Sequence, residues 1–364
     1  MEKTITINNM PVLTWNWLKM NKSSLTIDFD NSKFIDNQLI FENIPEGFAI
    51  SDNTSIFDNA LSKIEKKQTF KDLFQPAIGE EASEISAKFS KKVLIQVLSK
   101  TKEPLIIKFD SKKNQYFTSE EYIYATKDSE CTIIFVFENL APDFSIINTK
   151  ILAEENAKIN IIKIQLLSEG SIQIDETSFI EQKDANISFT QIELGGSSIF
   201  TGLNTALLEY NSSFTSNFAY NCSNNQLLDI NHRVVHVGQK TSSSMKVNGS
   251  LKDNASKTYR GTIDFRTGSS LSKGTETEET LLLDSKVINK SNPIILCSEE
   301  DIEGDHGATI GRLSNEILFY MQNRGISEQE AKKIIAKAKV QAVVSTIPSE
   351  QIRNKINSYM DKVF

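Results

Sequence analysis

Cysteine is scarce in this chain. Cys131, Cys222 and Cys297 are the only three in 364 residues, they lie far apart, and no C-x-x-C pair exists. This argues against a disulfide framework and against a four-thiolate cluster site built by the chain alone. Long apolar runs are missing too: nothing approaches a membrane span, and the opening MEKTITINNM carries no apolar signal core. A reducing cytoplasm is the expected location. Positive charge is nowhere concentrated. Forty Lys and Arg face 47 Asp and Glu, for a net charge of -7, which argues against nonspecific binding to nucleic acid or an anionic membrane. Catalytic signatures are absent as well: there is no Ser/His/Asp order, P-loop, G-x-G-x-x-G or H-E-x-x-H. The stretch from Gly261 to Gly274 bears glycine but does not lead from a strand into a helix, so it is no phosphate loop.

What is present divides into three parts, 1–92, 93–312 and 313–364. The first is mixed. Thr14 to Asn21 holds both tryptophans, Trp15 and Trp17, whose plain reading is a hydrophobic anchor for the N-terminal segment. Asn53 to Leu73 has helical spacing (Ile56, Phe57, Ala60, Leu61, Ile64), Pro76 to Gly79 reads as a break, and Glu80 to Phe89 as a short helix. From Val93 the period changes to that of strands: Val93–Leu98, Leu105–Phe109, Cys131–Phe137, Ile159–Leu167, Ser171–Ile174 and Ile187–Leu194 are β-rich. Polar or glycine turns separate them roughly every 11 to 15 residues, among them Asn156-Ala157, Gly195-Gly196, Asn211-Ser212 and Asn224-Asn225. Such pacing suits a sandwich, a barrel or a coiled β-solenoid. The length of the pattern, the presence of a single Asn-Gly pair (Asn248-Gly249) and the small residues in the turns favour the solenoid.

The last part is helical. Ser314 caps a helix through Met321, with Gly325 beyond its end. Ser327-x-x-Glu330 is a capping box, and Ala331, Ile334, Ile335, Ala338 and Ala342 mark a face. Pro348-Ser349 restarts a helix carrying Ile352, Ile356, Tyr359, Met360 and Val363.

Three histidines are candidates for chemistry. His232 and His236 share a face if they lie on a strand. Without a third ligand, a hydrogen-bonded structural role is the plainer reading. His306 follows an acidic run, Glu299, Glu300, Asp301, Glu303 and Asp305, that could raise its pKa or share a hard cation. The plainer alternative is a solvated acidic loop ending in a surface histidine. The three cysteines read as small buried hydrophobes.

The segment from His232 onward also carries a specific set of motifs: His232-x-x-x-His236, Gln239-Lys240-Thr241-Ser242, Tyr259-Arg260-Gly261-Thr262-Ile263, Glu279 to Leu283, Pro293 to Leu296, and Glu300-Asp301-Ile302. His306-Gly307-Ala308-Thr309-Ile310-Gly311 is the sharpest, and Leu318-Phe319-Tyr320-Met321 with Arg324-Gly325-Ile326 closes the set. In order and spacing this resembles the SufB/SufD family of iron–sulfur cluster assembly proteins, and within it the SufD branch. Trp15 to Asn21 resembles the family's tryptophan-bearing N-terminal signature, while residues 22–150 match weakly.

The resemblance implies a mainly β protein: a right-handed parallel β-helix core with α-helical N-terminal and C-terminal segments. It implies a SufB-like paralogue as partner and a SufC-like ABC ATPase docked on the C-terminal helices, around Leu318, Phe319, Tyr320, Arg324 and Gly325. A homodimer in the absence of the paralogue and the binding of a flavin are left open. The position matching His306 is the one implied to help hold iron or a transient, nascent cluster at the SufB–SufD interface. Some relatives carry a cysteine two residues earlier; here Gly304 stands there, so the chain offers one ligand and the partner must supply the thiolates. The expected role is a non-catalytic scaffold subunit. The competing expectations are a β-helix carbohydrate-active enzyme and a purely structural partner.

Overall fold

The structure, a computed structural model, describes residues 2–28, 30–34, 38–67, 74–110, 115–138 and 144–364. From Lys92 onward, successive strands alternate between two facing nine-stranded sheets. We call the sheet that ends in Ile302–Arg312 sheet I and the one that ends in Ile288–Cys297 sheet II. Within each, strands pair in parallel with their counterparts one coil away. Lys158 pairs with Glu130 behind and Asn186 ahead, a repeat of about 28 residues. About eight such coils stack into a parallel β-solenoid, the fold class expected from the sequence.

The alternation of side chains shows why. In the strand Lys158–Leu167, Ile159, Ile161 and Leu167 point into the coil, whereas Ile162, Ile164 and Leu166 point outward beneath helices. Both faces are buried, so the strand reads as a nearly unbroken apolar run. The corners need backbone at positive φ. One corner is a column of Asp128, Asn156, Asp184, Asn211, Lys240 and Leu271, with φ between 55° and 61°. Asn and Asp tolerate that conformation best. Their side chains also link coils: Asn156 Nδ2 donates to Asp128 Oδ1 and Asn211 Nδ2 to Asp184 Oδ1, each at 2.7 Å. The Asn248-Gly249 pair is no hairpin turn. It lies inside the strand Ser242–Leu251, where the Tyr220 ring fills the space a Cβ would take on Gly249.

The outer faces are covered by the rest of the chain. Helix α1 (Ser55–Lys67) seats Phe57 and Ile64 on sheet II; residues 68–73 of the longer helix expected from spacing lie outside the described residues. Helix α2 (Glu80–Phe89) and an antiparallel hairpin of Glu2–Ile7 with Ser23–Asp28 cover another part of the same face. After the solenoid come α3 (Asn315–Gln322), α4 (Glu328–Val344) and α5 (Glu350–Val363). Ser314, Ser327 and Ser349 each accept a backbone N–H at the helix starts. Helices α4 and α5 pack on the outer face of sheet I.

Two expectations for this tail need correction. The buried stripe of α4 is Ala331, Ala336, Val340, Val343 and Val344, whereas Ile334, Ala338 and Ala342 are exposed. Two apolar stripes compete on this helix, and the one rich in valine near its C-terminal half buries more side chain against sheet I. On α5, Ile352, Ile356 and Met360 are buried and Val363 is exposed, whereas Phe364, just after it, packs against the cluster on sheet I.

Candidate functional site at the open end of the solenoid

The two ends of the solenoid differ. At the N-terminal end, each sheet finishes in a short antiparallel strand of four residues: Gln38–Phe41 pairs with Leu105–Asp110, and Phe48–Ser51 with Lys92–Val97. At the C-terminal end, the outermost strands are the full-length Ile288–Cys297 and Ile302–Arg312, 10 and 11 residues long, each paired on one side only among the described residues. Both expose a row of backbone donors and acceptors, the usual template for another chain.

His306 lies on this last strand, which corrects the acidic-loop reading, and it is exposed. Its register partner one coil below is Glu276, a residue that points into the coil. His306 therefore has inward direction but no coil above it, because the stack ends there. The acidic residues expected to surround it are not brought together with it. Glu303 and Asp305 alternate away from His306, Glu303 pairs with Lys273 at 2.8 Å, and Glu299 to Asp301 lie before the strand. Cys297 is not brought to His306 either. The Glu276 carboxylate abuts Gly261, which pairs with Pro293, so His306 stands level with Pro293. Cys297 is four residues farther on, about 13 Å of extended strand.

Cys297 is exposed, contrary to the buried role expected of it, because no further coil covers the end of its strand; its thiol donates to Glu299 O at 2.9 Å. Cys131 and Cys222 are buried, and burial pushes the Cys222 thiol up to about 12. His232 and His236 share an inward face, as strand alternation requires, and burial drives both down to about 3. His236 bonds Thr241 Oγ1 at 2.7 Å and Ser243 Oγ at 2.9 Å. His232 has no such partner; its ring packs edge-on against Phe218 and Tyr259.

Behind His306 the coil interior holds polar residues that the sequence reading passed over. Burial raises the Glu276 carboxyl to about 7, against the lowering effect of the adjacent Tyr259 hydroxyl. Lys257 pairs with Glu278, which also accepts from Ser291 and Thr280. The sequence Thr275-Glu276-Thr277-Glu278-Glu279 looks like a solvated strand, and nothing in it signals that Glu276 and Glu278 turn inward. Among the described residues, no group of three or more His, Cys, Asp or Glu is gathered closely enough to hold a metal ion by itself.

The tryptophans are also corrected. Trp15 and Trp17 are 73% and 74% exposed, so they do not anchor the N-terminal segment; backbone and amide hydrogen bonds do. The residues expected to dock an ATPase lie on or just after α3. Phe319 and Tyr320 are exposed, Leu318 is half-buried, and the Arg324 guanidinium stacks 4.5 Å from the Tyr320 ring centre. Gly325 adopts φ +81° at the turn that ends the helix.

Fold and end together define a parallel β-solenoid protein whose last full-length coil has no further coil on it among the described residues. Residues 108–339 match the family model of the SUF system FeS cluster assembly, SufBD core domain, and the chain belongs to this SufB/SufD family. The SufD protein of Bacillus subtilis is 27% identical over 130 residues, covering 36% of this chain and 30% of its own length. The SufB protein of the same organism is 28% identical over 122 residues, covering 34% and 26%. A SufBD family protein of Staphylococcus saprophyticus is 24% identical over 234 residues, covering 56% and 50%. The match thus spans half or less of the length of these curated relatives. Among the described residues, no helix is long and apolar enough to cross a membrane.

Proposed function

We propose that this chain is a SufD-like, non-catalytic scaffold subunit that pairs through its open end with a SufB-like paralogue in the cytoplasm. The observation that carries this reading is the uncovered last coil, which places His306 in the mouth of the solenoid with unpaired strand edges on both sheets. A partner that adds strands there covers His306 and brings its own side chains to it. An imidazole is a competent iron ligand, and a mixed shell with the partner's thiolates suits iron or a nascent cluster, here the cargo of the complex. The exposed apolar side of α3, with Ile317, Phe319 and Tyr320, is in the same proposal the seat of a SufC-like ATPase.

The test is co-expression of the chain with its SufB-like and SufC-like partners. The chain alone purifies colourless; the three together form a stable complex that binds a cluster. His306→Ala assembles normally and loses cluster formation. A variant complex with full cluster yield refutes the ligand role and leaves a purely structural subunit.

A further inference from the structure

We propose that the cavity between the N-terminal hairpin, the start of α2 and sheet II binds a small zwitterion, a molecule that carries one carboxylate and one ammonium group as a free α-amino acid does. The site is independent of the open-end reading. It lies on the outer face of sheet II, over strands two or more positions in from the free edge.

The floor is built by strand register. Asn204 on Ser198–Leu207 pairs with Arg233 on Leu227–His236, and Gly202 pairs with Asn231. All four positions face outward, because Leu203, Leu207, Ile230 and Val234 take the inner face. Gly202 leaves room for the segment before α2 to lie on the sheet: a Cβ there would stand 2.8 Å from Ile78 N. The walls are then tied down. Glu176 accepts from Ala77 N at 3.2 Å and from Ile78 N at 2.9 Å. Asn231 Nδ2 donates to Ala77 O at 2.8 Å and to Asn9 O at 3.1 Å, and Asn8 N donates to Ile78 O at 3.0 Å. The space left is about 370 Å³, within the range of small-molecule sites. Its walls are in place before any ligand arrives.

The groups left unsatisfied describe the ligand. Asn204 lines the cavity and is 1% exposed, yet its amide makes no hydrogen bond among the described residues. Leaving a buried amide unpaired is costly, and a polar ligand removes the cost. Beside it stands Arg233, 8% exposed. Its Nη1 donates to Gln75 Oε1 at 2.8 Å and its Nη2 to Asp264 Oδ2 at 3.0 Å, while Nε has no partner. Another wall carries the start of α2, a helix of ten residues that begins after Gly79, which has no side chain to accept from the first-turn N–H groups. Guanidinium, amide and helix start together suit a carboxylate.

A bare anion is the poorer fit. The lining residues carry one positive charge, Arg233, against two negative ones, Glu80 and Glu81. Glu81 is engaged by Thr6 N at 2.6 Å. Glu80 is exposed at the rim, with no ion pair or hydrogen bond through its carboxylate among the described residues. That carboxylate is the group an ammonium meets. Opposite charges on one small molecule satisfy both ends of the cavity.

The test is saturation-transfer NMR on the full-length chain. L-alanine, L-leucine and L-glutamine serve as zwitterions, propionate as the carboxylate alone and ethylamine as the ammonium alone. At least one amino acid receives saturation at concentrations where propionate and ethylamine do not. Asn204→Ala weakens that binding about tenfold, by removing a hydrogen bond to a charged group. Glu80→Gln changes only an exposed side chain without a partner, so the fold is kept, and it weakens binding about threefold. No transfer to any of the three amino acids overturns the proposal. Propionate binding as tightly as the amino acids overturns it in favour of an anion site. Amino-acid binding that neither variant weakens places the molecule elsewhere on the chain and overturns it too. No partner chain is present in these samples, so the result is separate from assembly with the SufB-like paralogue.

Discussion

Arg260 is the residue whose loss should most clearly separate the N-terminal hairpin from the solenoid. It is fully buried on the outer face of sheet II. Its guanidinium donates to Asp229 Oδ1 at 2.5 Å, to Ser23 Oγ at 3.0 Å and to Met20 O at 2.5 Å. Asp229, 3% exposed, also accepts from Asn8 Nδ2 at 2.6 Å and from the Ser23 hydroxyl. One ion pair thus joins the body to three points of the hairpin and its loop. Arg260→Met keeps most of the volume and leaves the Asp229 charge buried with neutral donors only. Removing one partner of a buried pair costs about 3–5 kcal/mol. The hairpin can detach locally instead of unfolding the whole chain, so the effect concentrates there. Hydrogen exchange read by mass spectrometry should show peptides within residues 2–28 exchanging roughly a thousandfold faster, the equivalent of about 4 kcal/mol, while solenoid peptides keep their rates. Arg260→Met/Asp229→Asn should recover most of the loss, because the charge that needed the guanidinium is gone. Hairpin exchange within tenfold of the parent, or a double variant no slower than the single, would refute the electrostatic account.

Two further outcomes test the interior. Burial raises the Glu121 carboxyl to about 7 although Ser119 and Thr149 donate to it. The unfolded chain ionises this group first as pH rises, so its contribution to stability falls between about pH 4.5 and 7 and then levels off. Glu121→Gln should therefore match the parent near pH 4 and exceed it by roughly 3 kcal/mol at pH 8 in urea titrations; equal differences at both pH values would contradict the assignment. In the folded chain, Cys297 alone should react with an aromatic disulfide reagent, while Cys131 and Cys222 should react only after unfolding. Two fast thiols would mean that a coil end is looser than the structure shows.

The solenoid was legible because its signals are local. Short β-rich apolar runs, and Asn or Gly turns recurring between them, survive in the sequence whatever packs around them, and Asn156 and Asn211 turned out to share one corner column. Glu80–Phe89 and the cap of α3 were legible for the same reason. What failed depended on what each face meets. On α4, Ile334 and Val340 are equally apolar, and only sheet I decides which is buried. Trp15 and Trp17 looked like an anchor because indoles usually bury, and the sequence gives no sign that Asn21 already fixes their loop. His306 was found by its motif, but the acidic cluster around it dissolved once the segment proved to be a strand and alternation sent Glu303 and Asp305 to the other side. Glu276 was missed because an inward carboxylate in a run of Thr and Glu leaves no mark in one dimension.

The glycines of the last strand argue that its bareness belongs to the design of the surface. Gly304 is explained inside the chain: a Cβ there would meet Phe265 at 3.1 Å and Ile295 at 3.4 Å. Gly307 and Gly311 are not explained this way. A Cβ on either meets nothing within 4 Å, and neither has the positive φ that calls for glycine. Glycine in a strand interior weakens the strand unless another backbone approaches closely. Among the described residues, no backbone does so above Ile302–Arg312. The neighbouring edge, Ile288–Cys297, carries Pro293, which withholds one donor, whereas the edge of Ile302–Arg312 has no proline. The more complete template is therefore the strand that carries His306, while Gly307 and Gly311 share the outer face with Glu303 and Asp305, opposite the imidazole, and leave that face of the edge bare.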